Sequence, residues 1–340
     1  MINEAIVKLA KKEDIGYEMA REAMDEIMEG RATEVQKSAY LTAFSMKGET
    51  IEEITGSAEE MRSHALQVKH GLSDVLEIVG TGGDGSNSFN ISTTAAIIIS
   101  AAGVAVAKHG NRAASSRSGA ADCLEALGVN ISMEPEQAAK LLQNAGICFL
   151  FAQKYHSAMK YVGPVRRELG IRTIFNILGP LTNPANPTME IMGVFDESLL
   201  ESMAHVLSNL GVKKGMVVYG MEKLDEISIC GPTRACIFRD NTFECRTIVP
   251  EDVGLKSYGM EELKGGTPKE NAAITLSILK GEEKGAKRDA AVINAAAALF
   301  VADKAPGLKE AVRLAEETID SGRAFAQLEK FIRYSNLEQT

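Results

Sequence analysis

From Asp74 onward, short apolar runs alternate with segments of helical periodicity, and that alternation confines the larger part of the chain to α/β construction. Val75 to Val79 predicts a first strand and Ile91 to Ala102 a helix after it. Val104 to Ala107, Gly119 to Leu127 and Ile147 to Phe151 repeat strand, helix and strand. Gly215 to Tyr219 reads as a further buried strand. Ala235 to Arg239 and Thr242 to Val249 flank Asp240-Asn241, the pattern of an antiparallel hairpin. From Pro268 the chain returns mainly to helix, and the alanine-rich Ala290 to Ala302 is its most buried-looking part.

Ahead of Asp74 the pattern is helical only. Tyr17, Ala20, Met24, Ile27 and Met28 recur on one helical face. Thr33 with Gln36, and Thr50 with Glu53, have the spacing of capping boxes, and Gly48 is placed to end the helix between them. Residues 1–72 are thus expected to form a small helical unit.

The first strand runs into Gly80-Thr81-Gly82-Gly83-Asp84-Gly85, which a helix follows. Gly80, Gly82 and Gly85 satisfy the dinucleotide fingerprint, but that fold wants an acid after the second strand to hold a ribose diol. Here Lys108-His109 stands in that place, and a lysine suits phosphate. A Walker loop is excluded because no Gly-Lys-Ser/Thr follows. A ligand-free turn accounts for one or two glycines, and helix capping for one hydroxyl of Asn90-Ile91-Ser92-Thr93. Four glycines, an acid, a helix start and adjacent hydroxyls together favour an anion site.

The next strand–helix junction, Lys108 to Gly119, holds three cations, three serines and two glycines. Such a run is usually a solvated basic loop. This one is expected on the same sheet edge as the glycine loop, where α/β proteins bind ligands. Two loops ready for polyanions suit a ligand with two phosphate groups.

A net charge of −9 argues against a nucleic-acid coat without excluding a small phosphate ligand. Cys123, Cys148, Cys230, Cys236 and Cys245 are odd in number and lack C-x-x-C spacing, so free thiols in a reducing cytoplasm are expected, not zinc. No uncharged stretch is long enough to span a membrane, and Met1 to Glu4 opens an amphipathic pattern unlike a signal peptide.

Gly80 to Asp84, Asn90 to Thr93, Lys108 to Ser116, Gly179-Pro180-Leu181-Thr182-Asn183-Pro184, Asp225-Glu226 and Gly265-Gly266-Thr267-Pro268 stand in the order of a known family. With these six motifs the chain resembles the anthranilate phosphoribosyltransferases, from the N-terminal helices to near the C-terminus. The resemblance implies a small N-terminal helical domain, residues 1–72, joined by a helical segment around 160–185. It implies a larger α/β domain, residues 73–340, with a mostly parallel central sheet. It also implies a homodimer formed through the helical domain.

By the same resemblance, phosphoribosyl pyrophosphate would lie on Gly80, Gly83, Asp84, Ser88, Asn90, Ile91, Ser92, Thr93, Lys108, His109, Gly110, Asn111, Arg112, Ala113, Ala114, Ser115, Ser116 and Ala120. Ala120 stands where many relatives carry serine, which leaves only a backbone role there. Anthranilate would lie near Gly80, Asn111 and Arg166. Ser92, Asp225 and Glu226 would hold magnesium, two ions in all, with Lys108, Asp225 and Glu226 as the catalytic groups. Adjacent acids such as Asp225-Glu226 are ordinarily solvated surface, but pyrophosphate needs charge neutralisation before it can leave, and magnesium takes carboxylates and phosphates. A guanidinium such as that of Arg166 matches a carboxylate through two parallel bonds. Thr267-Pro268-Lys269-Glu270 reads as a capping box with proline at the first helical position, without chemistry. His64, His70, His156 and His205 read as ordinary polar or buried histidines, and His109 as pocket lining. The rival enzyme on this fold is a pyrimidine nucleoside phosphorylase, against which Arg172 to Asn176 and Asp225-Glu226 speak. A nucleic-acid-binding relative would show a basic face and a degraded glycine loop.

Overall fold

The computed structural model describes residues 1–113 and 116–337. Four helices come first: α1 (Ile2–Ala10), α2 (Gly16–Met28), α3 (Glu34–Lys47) and α4 (Ile51–Ser63). Both predicted capping boxes form, each threonine accepting the N–H three residues on, and Gly48 ends α3 with a positive φ of 89°. On α2 the stripe Ala20, Met24, Ile27 and Met28 is buried. On α3 the buried face is Lys37, Tyr40, Leu41 and Phe44, and Val35 points to solvent.

The remainder alternates as β1 (Leu76–Gly80), α5 (Ile91–Ala101), β2 (Val106–Gly110), α6 (Ala120–Ala126), α7 (Pro135–Ala145) and β3 (Ile147–Phe151). Short turns of helix follow, α8 (Ala152–Tyr155), α9 (Gly163–Leu169) and α10 (Phe175–Leu178), before β4 (Met189–Gly193). Then come α11 (Leu200–Asn209), β5 (Lys214–Gly220), β6 (Thr233–Arg239), β7 (Thr242–Ile248) and α12 (Pro268–Leu279), α13 (Ala286–Val301), α14 (Leu308–Asp320) and α15 (Arg323–Ser335).

One sheet of order β3-β2-β1-β4-β5-β6-β7 carries these strands, parallel from β3 to β5 and antiparallel from β5 to β7. The predicted hairpin is β6–β7, and Asp240 and Asn241 both take positive φ, as a two-residue turn between twisted strands requires. Strand order reverses between β1 and β4, the position at which open α/β sheets form their ligand crevice.

Side chains alternate across the sheet. Met216 and Val218 of β5 join a core with α5 and α13, whereas Val217 and Tyr219 join a second core shared with α11 and the N-terminal helices. That second core includes Val162, Val165, Phe175 and Leu178, so the segment after β3 packs with the N-terminal helices.

Two sequence readings need correction. The second strand starts at Val106, not Val104, and runs to Gly110, so Lys108 and His109 belong to the strand and not to the loop after it. Polar residues hide a strand from a hydrophobicity pattern, yet here both are buried. The strand β4, which borders the crevice, is missed altogether. Its run Met189-Glu190-Ile191-Met192-Gly193 has one β-branched residue where Val75 to Val79 has three, and a central acid that is nevertheless completely buried.

Candidate active site

The segments that follow β1, β2 and β5 meet at the crevice. Asp225 comes closest to the switch point: its Oδ2 accepts the Gly82 N–H at 2.6 Å. A Cβ on Gly80 would collide with that carboxylate, and one on Gly193 with the Asp225 carbonyl. Both strands therefore need glycine where the acid leans over them, and Gly80 serves Asp225 before any ligand. Glu226 Oε1 accepts the Ser92 N–H at 3.1 Å, at the N-terminus of α5 where a negative charge is favoured. Just beyond, Asn294 of α13 bonds both N–H and C=O of Ile227 at 2.9 Å, which fixes the acid pair against the core.

Burial raises Asp225 to about 7, and neighbouring Asp84 adds to the rise. Burial, then the charge of Asp225, raises Glu226 to about 8. Lys108 is held below its ordinary value by burial, against the pull of Glu77, Glu226 and Asp225. Its Nζ donates to Ile78 O at 2.6 Å and lies 3.2 Å from Ser92 Oγ. Asp84 gives one oxygen to the Ser86 N–H, and its buried Oδ2 has no partner among the described residues. This surplus of oxygen donors and negative charge fits a hard divalent cation. The donors are less convergent than Asp25, Glu60 and His64 of the helical region, whose ligand atoms lie within 4.8 Å of one another. Spread donors suit ions that also bind substrate phosphates.

The glycine loop itself is left-handed at Gly82 and Gly83, with φ of 70° and 74°, a path that favours residues without Cβ. Ser88 and Asn90 lie at its far end. The Asn90 amide joins the two loops: its Oδ1 accepts from Ser118 Oγ at 3.2 Å and Asn271 Nδ2 at 2.8 Å, and its Nδ2 donates to Ser118 O. Gly265 passes close to the Phe89 backbone, and Phe89 N–H and Asn87 C=O bond to Leu263 and Gly265. The Gly265 to Pro268 motif thus braces the loop, and Thr267 caps α12 with Pro268 at its start. Ile91 is buried and offers a ligand only its backbone, and Thr93 Oγ1 is buried without a partner among the described residues.

At the end of β2 His109 is buried, its ring 5.1 Å from that of His156, and burial with that neighbour holds it well below its usual value. Asn111 Oδ1 accepts from the Arg112 N–H at 2.8 Å and Gln153 Nε2 at 3.2 Å. The Arg112 guanidinium is engaged by Asp122 at 2.9 Å and Glu125 at 2.8 Å. Asp122 Oδ2 also accepts the N–H groups of Ala113 and Gly119. Gly110 ends β2, Ala120 opens α6, and Ser116 Oγ lies 3.4 Å from Ser118 O. Ala114 and Ser115 lie outside the described residues.

Arg166, on α9, is half-buried with its guanidinium 5.2 Å from the centre of the Phe175 ring. Burial displaces its pKa downward, with no acid beside it among the described residues to compensate. Arg167 is exposed.

Four side chains that matter here carry no role from sequence. Arg172 donates to Gly83 O at 2.8 Å while lying 3.7 Å from the Phe195 ring centre. Thr81 Oγ1 accepts the Phe195 N–H at 3.1 Å, tying the glycine loop to the end of β4. Glu77 and Asn183 sit buried between β1 and β2. Among these four, only Arg172 and Asn183 lay in segments singled out by sequence for more than glycine content, and type alone named no partner.

Residues 72–325 match the α/β domain of the glycosyl transferase family and residues 3–65 its helical bundle domain. An anthranilate phosphoribosyltransferase of Methanobrevibacter smithii is 61% identical over 336 residues, which is 99% of this chain and 100% of the relative. The crystal structure of the anthranilate phosphoribosyltransferase of Thermus thermophilus superposes with a TM-score of 0.93 at 44% identity, covering 98% of this chain and 99% of that one. The Saccharomyces cerevisiae enzyme, in complex with PRPP and Mg, superposes with a TM-score of 0.91 at 29% identity, covering 98% and 97%.

Proposed function

The chain belongs to the anthranilate phosphoribosyltransferases, within the glycosyl transferase family, and from that premise we infer its reaction and the part each residue takes. It transfers the 5-phosphoribosyl group of phosphoribosyl pyrophosphate to the amine of anthranilate. The products are N-(5-phosphoribosyl)anthranilate and pyrophosphate, a step of tryptophan biosynthesis. The observation that carries the assignment of roles is the acid cluster Asp84, Asp225 and Glu226, set against a glycine loop and a helix start at the sheet's switch point.

Phosphoribosyl pyrophosphate lies between the two loops. Gly83, Asp84, Ser88 and Asn90 to Thr93 border it on one side, and Lys108 to Ser116 with Ala120 on the other. Ile91, Ala113, Ala114 and Ala120 have no polar side chain and serve through backbone. Ser92, Asp225 and Glu226 would hold magnesium, as two ions, and the bound metal supplies charge neutralisation for the pyrophosphate that leaves. Lys108, oriented by Ile78 O and Ser92, adds a cation to the same region. Arg166 holds the anthranilate carboxylate through the N–H edge of its guanidinium, with Asn111 and Gly80 bordering the ring. That places the amine to attack the anomeric carbon with inversion. Alignment of this kind lowers barriers by about 7–11 kcal/mol in well-oriented systems. The aromatic amine is already unprotonated and attacks without a base to deprotonate it first; the N–H proton it sheds as the C–N bond forms leaves to water or to the departing pyrophosphate.

The helical region, residues 1–72 with the segment around 160–185, forms the smaller domain and the homodimer contact. Val7, Val35 and Met46 support this, since they project from α1 and α3 at 55%, 78% and 73% exposure. No helix among the described residues is long and apolar enough to cross a membrane, and five free thiols accord with the cytoplasm as its compartment.

The test is loss of anthranilate fluorescence on adding phosphoribosyl pyrophosphate and magnesium, with a chelated control. Magnesium-dependent loss is expected. Its absence, together with phosphate-dependent cleavage of uridine or thymidine, would replace this reading with the phosphorylase one.

A further inference from the structure

The strands that deliver the two loops are neighbours, yet they hardly pair. β1 meets β4, and β2 meets β3, in register along their full lengths. Between β1 and β2 only Leu76 and Val106 are paired. Two residues further on, Ile78 would face Lys108. In an unbroken parallel ladder the His109 N–H would then donate to Ile78 O, and the Ile78 N–H to Ala107 O.

Side chains take those bonds instead. The Glu77 carboxylate accepts the His109 N–H at 2.9 Å, and the Ile78 N–H also favours its charge. Asn183 Nδ2 donates to Ala107 O at 2.7 Å and to Glu77 Oε2. On the other face Lys108 Nζ donates to Ile78 O at 2.6 Å. Laddered strands sit about 4.8 Å apart, and a carboxyl and an amide between two backbones require more.

We propose that Glu77 and Asn183 are positioning residues: they wedge β1 from β2 and so set the separation of the glycine loop and the loop that follows β2. The wedge rests on the reading that phosphoribosyl pyrophosphate lies between those loops. It gives a role to the Gly179 to Pro184 motif, whose Asn183 is completely buried and 2.8 Å from the Ala185 N–H, so its amide is fixed in orientation. It also accounts for a buried glutamate at a central strand position. Burial raises Glu77 well above the ordinary carboxylate range, with Glu190 directly opposite it in register, so glutamine is a faithful substitute.

The experiment compares Glu77→Gln, Glu77→Leu and Asn183→Leu with the unchanged protein, measuring KM for each substrate, kcat and Tm. Leucine removes the polar bridge, and the freed backbone groups can pair across the gap and draw the loops together. Glu77→Leu and Asn183→Leu are expected to keep a cooperative melt, to raise KM for phosphoribosyl pyrophosphate by about tenfold to a hundredfold, and to raise KM for anthranilate, whose carboxylate Arg166 holds from outside the two loops, by clearly less. Glu77→Gln keeps the acceptor and should recover most of the loss. A folded leucine variant with unchanged KM for phosphoribosyl pyrophosphate overturns the wedge, and so does a Glu77→Gln variant as impaired as Glu77→Leu. If Glu77→Leu fails to fold, Asn183→Leu decides by the same measure. An unchanged protein without transferase activity would instead sink the functional reading on which the wedge rests.

Discussion

Replacing Arg166 with alanine tests the substrate assignment most directly. The guanidinium is half-buried over Phe175, and burial without a compensating acid already disfavours its charge. It nevertheless stays charged, because arginine ionises far above neutral pH. A half-buried cation without an acid partner has its strongest interaction in hand only when an anion arrives. Hydrogen bonds to charged groups contribute about 1.5–3 kcal/mol each, and partial exposure here argues for about half of what two such bonds could give together. A loss of about 1.5–3 kcal/mol corresponds to roughly tenfold to 150-fold in affinity. Arg166→Ala is therefore expected to raise KM for anthranilate by that factor, followed by the decay of anthranilate fluorescence at saturating phosphoribosyl pyrophosphate. KM for phosphoribosyl pyrophosphate should move by less than about threefold. Arg166→Lys keeps the charge but not the fork, and should fall between. An anthranilate KM within twofold of the unchanged protein would refute the reasoning, because the carboxylate would then be held elsewhere.

Asp225 and Glu226 hold their protons in the fold far more tightly than in the unfolded chain, whose carboxyls titrate near 4. The folded state thus binds the extra protons, and the metal-free protein should lose stability as pH rises from about 4 through 7 and 8. Magnesium should raise Tm more at pH 8 than at pH 6, and Asp225→Asn should flatten the pH dependence; a metal-free Tm that climbs over this range contradicts the cluster. Gly80→Ala places a methyl group against the Asp225 carboxylate and should cut kcat/KM by about a hundredfold with the far-ultraviolet circular dichroism unchanged. Val35→Asp combined with Met46→Glu sets charge on the exposed face of α3, and light scattering should then report monomer in place of dimer.

What sequence determined, it determined through neighbours along the chain. The capping boxes at Thr33, Thr50 and Thr267, the positive-φ pair Asp240-Asn241, and the glycine loop opening onto α5 are each settled by residues a few positions apart. That local chemistry, with the alternation of strand and helix, was enough to read the fold class and the crevice edge. The resemblance supplied the joining segment around 160–185 and the residue roles. Three features needed the folded chain: β4 inserted beside β1 with a buried Glu190, Arg172 reaching back to Gly83, and Glu77 with Asn183 filling the place of a ladder. The partners in the last two lie 89 and 106 residues apart. A polar residue type advertises what it can bond, not with which distant group, and a strand with an acid at its centre looks apolar only once its surroundings have enclosed that acid. Sequence therefore fixes the backbone's local path, while the sheet order decides which donors and acceptors meet, and so how far apart the two loops stand.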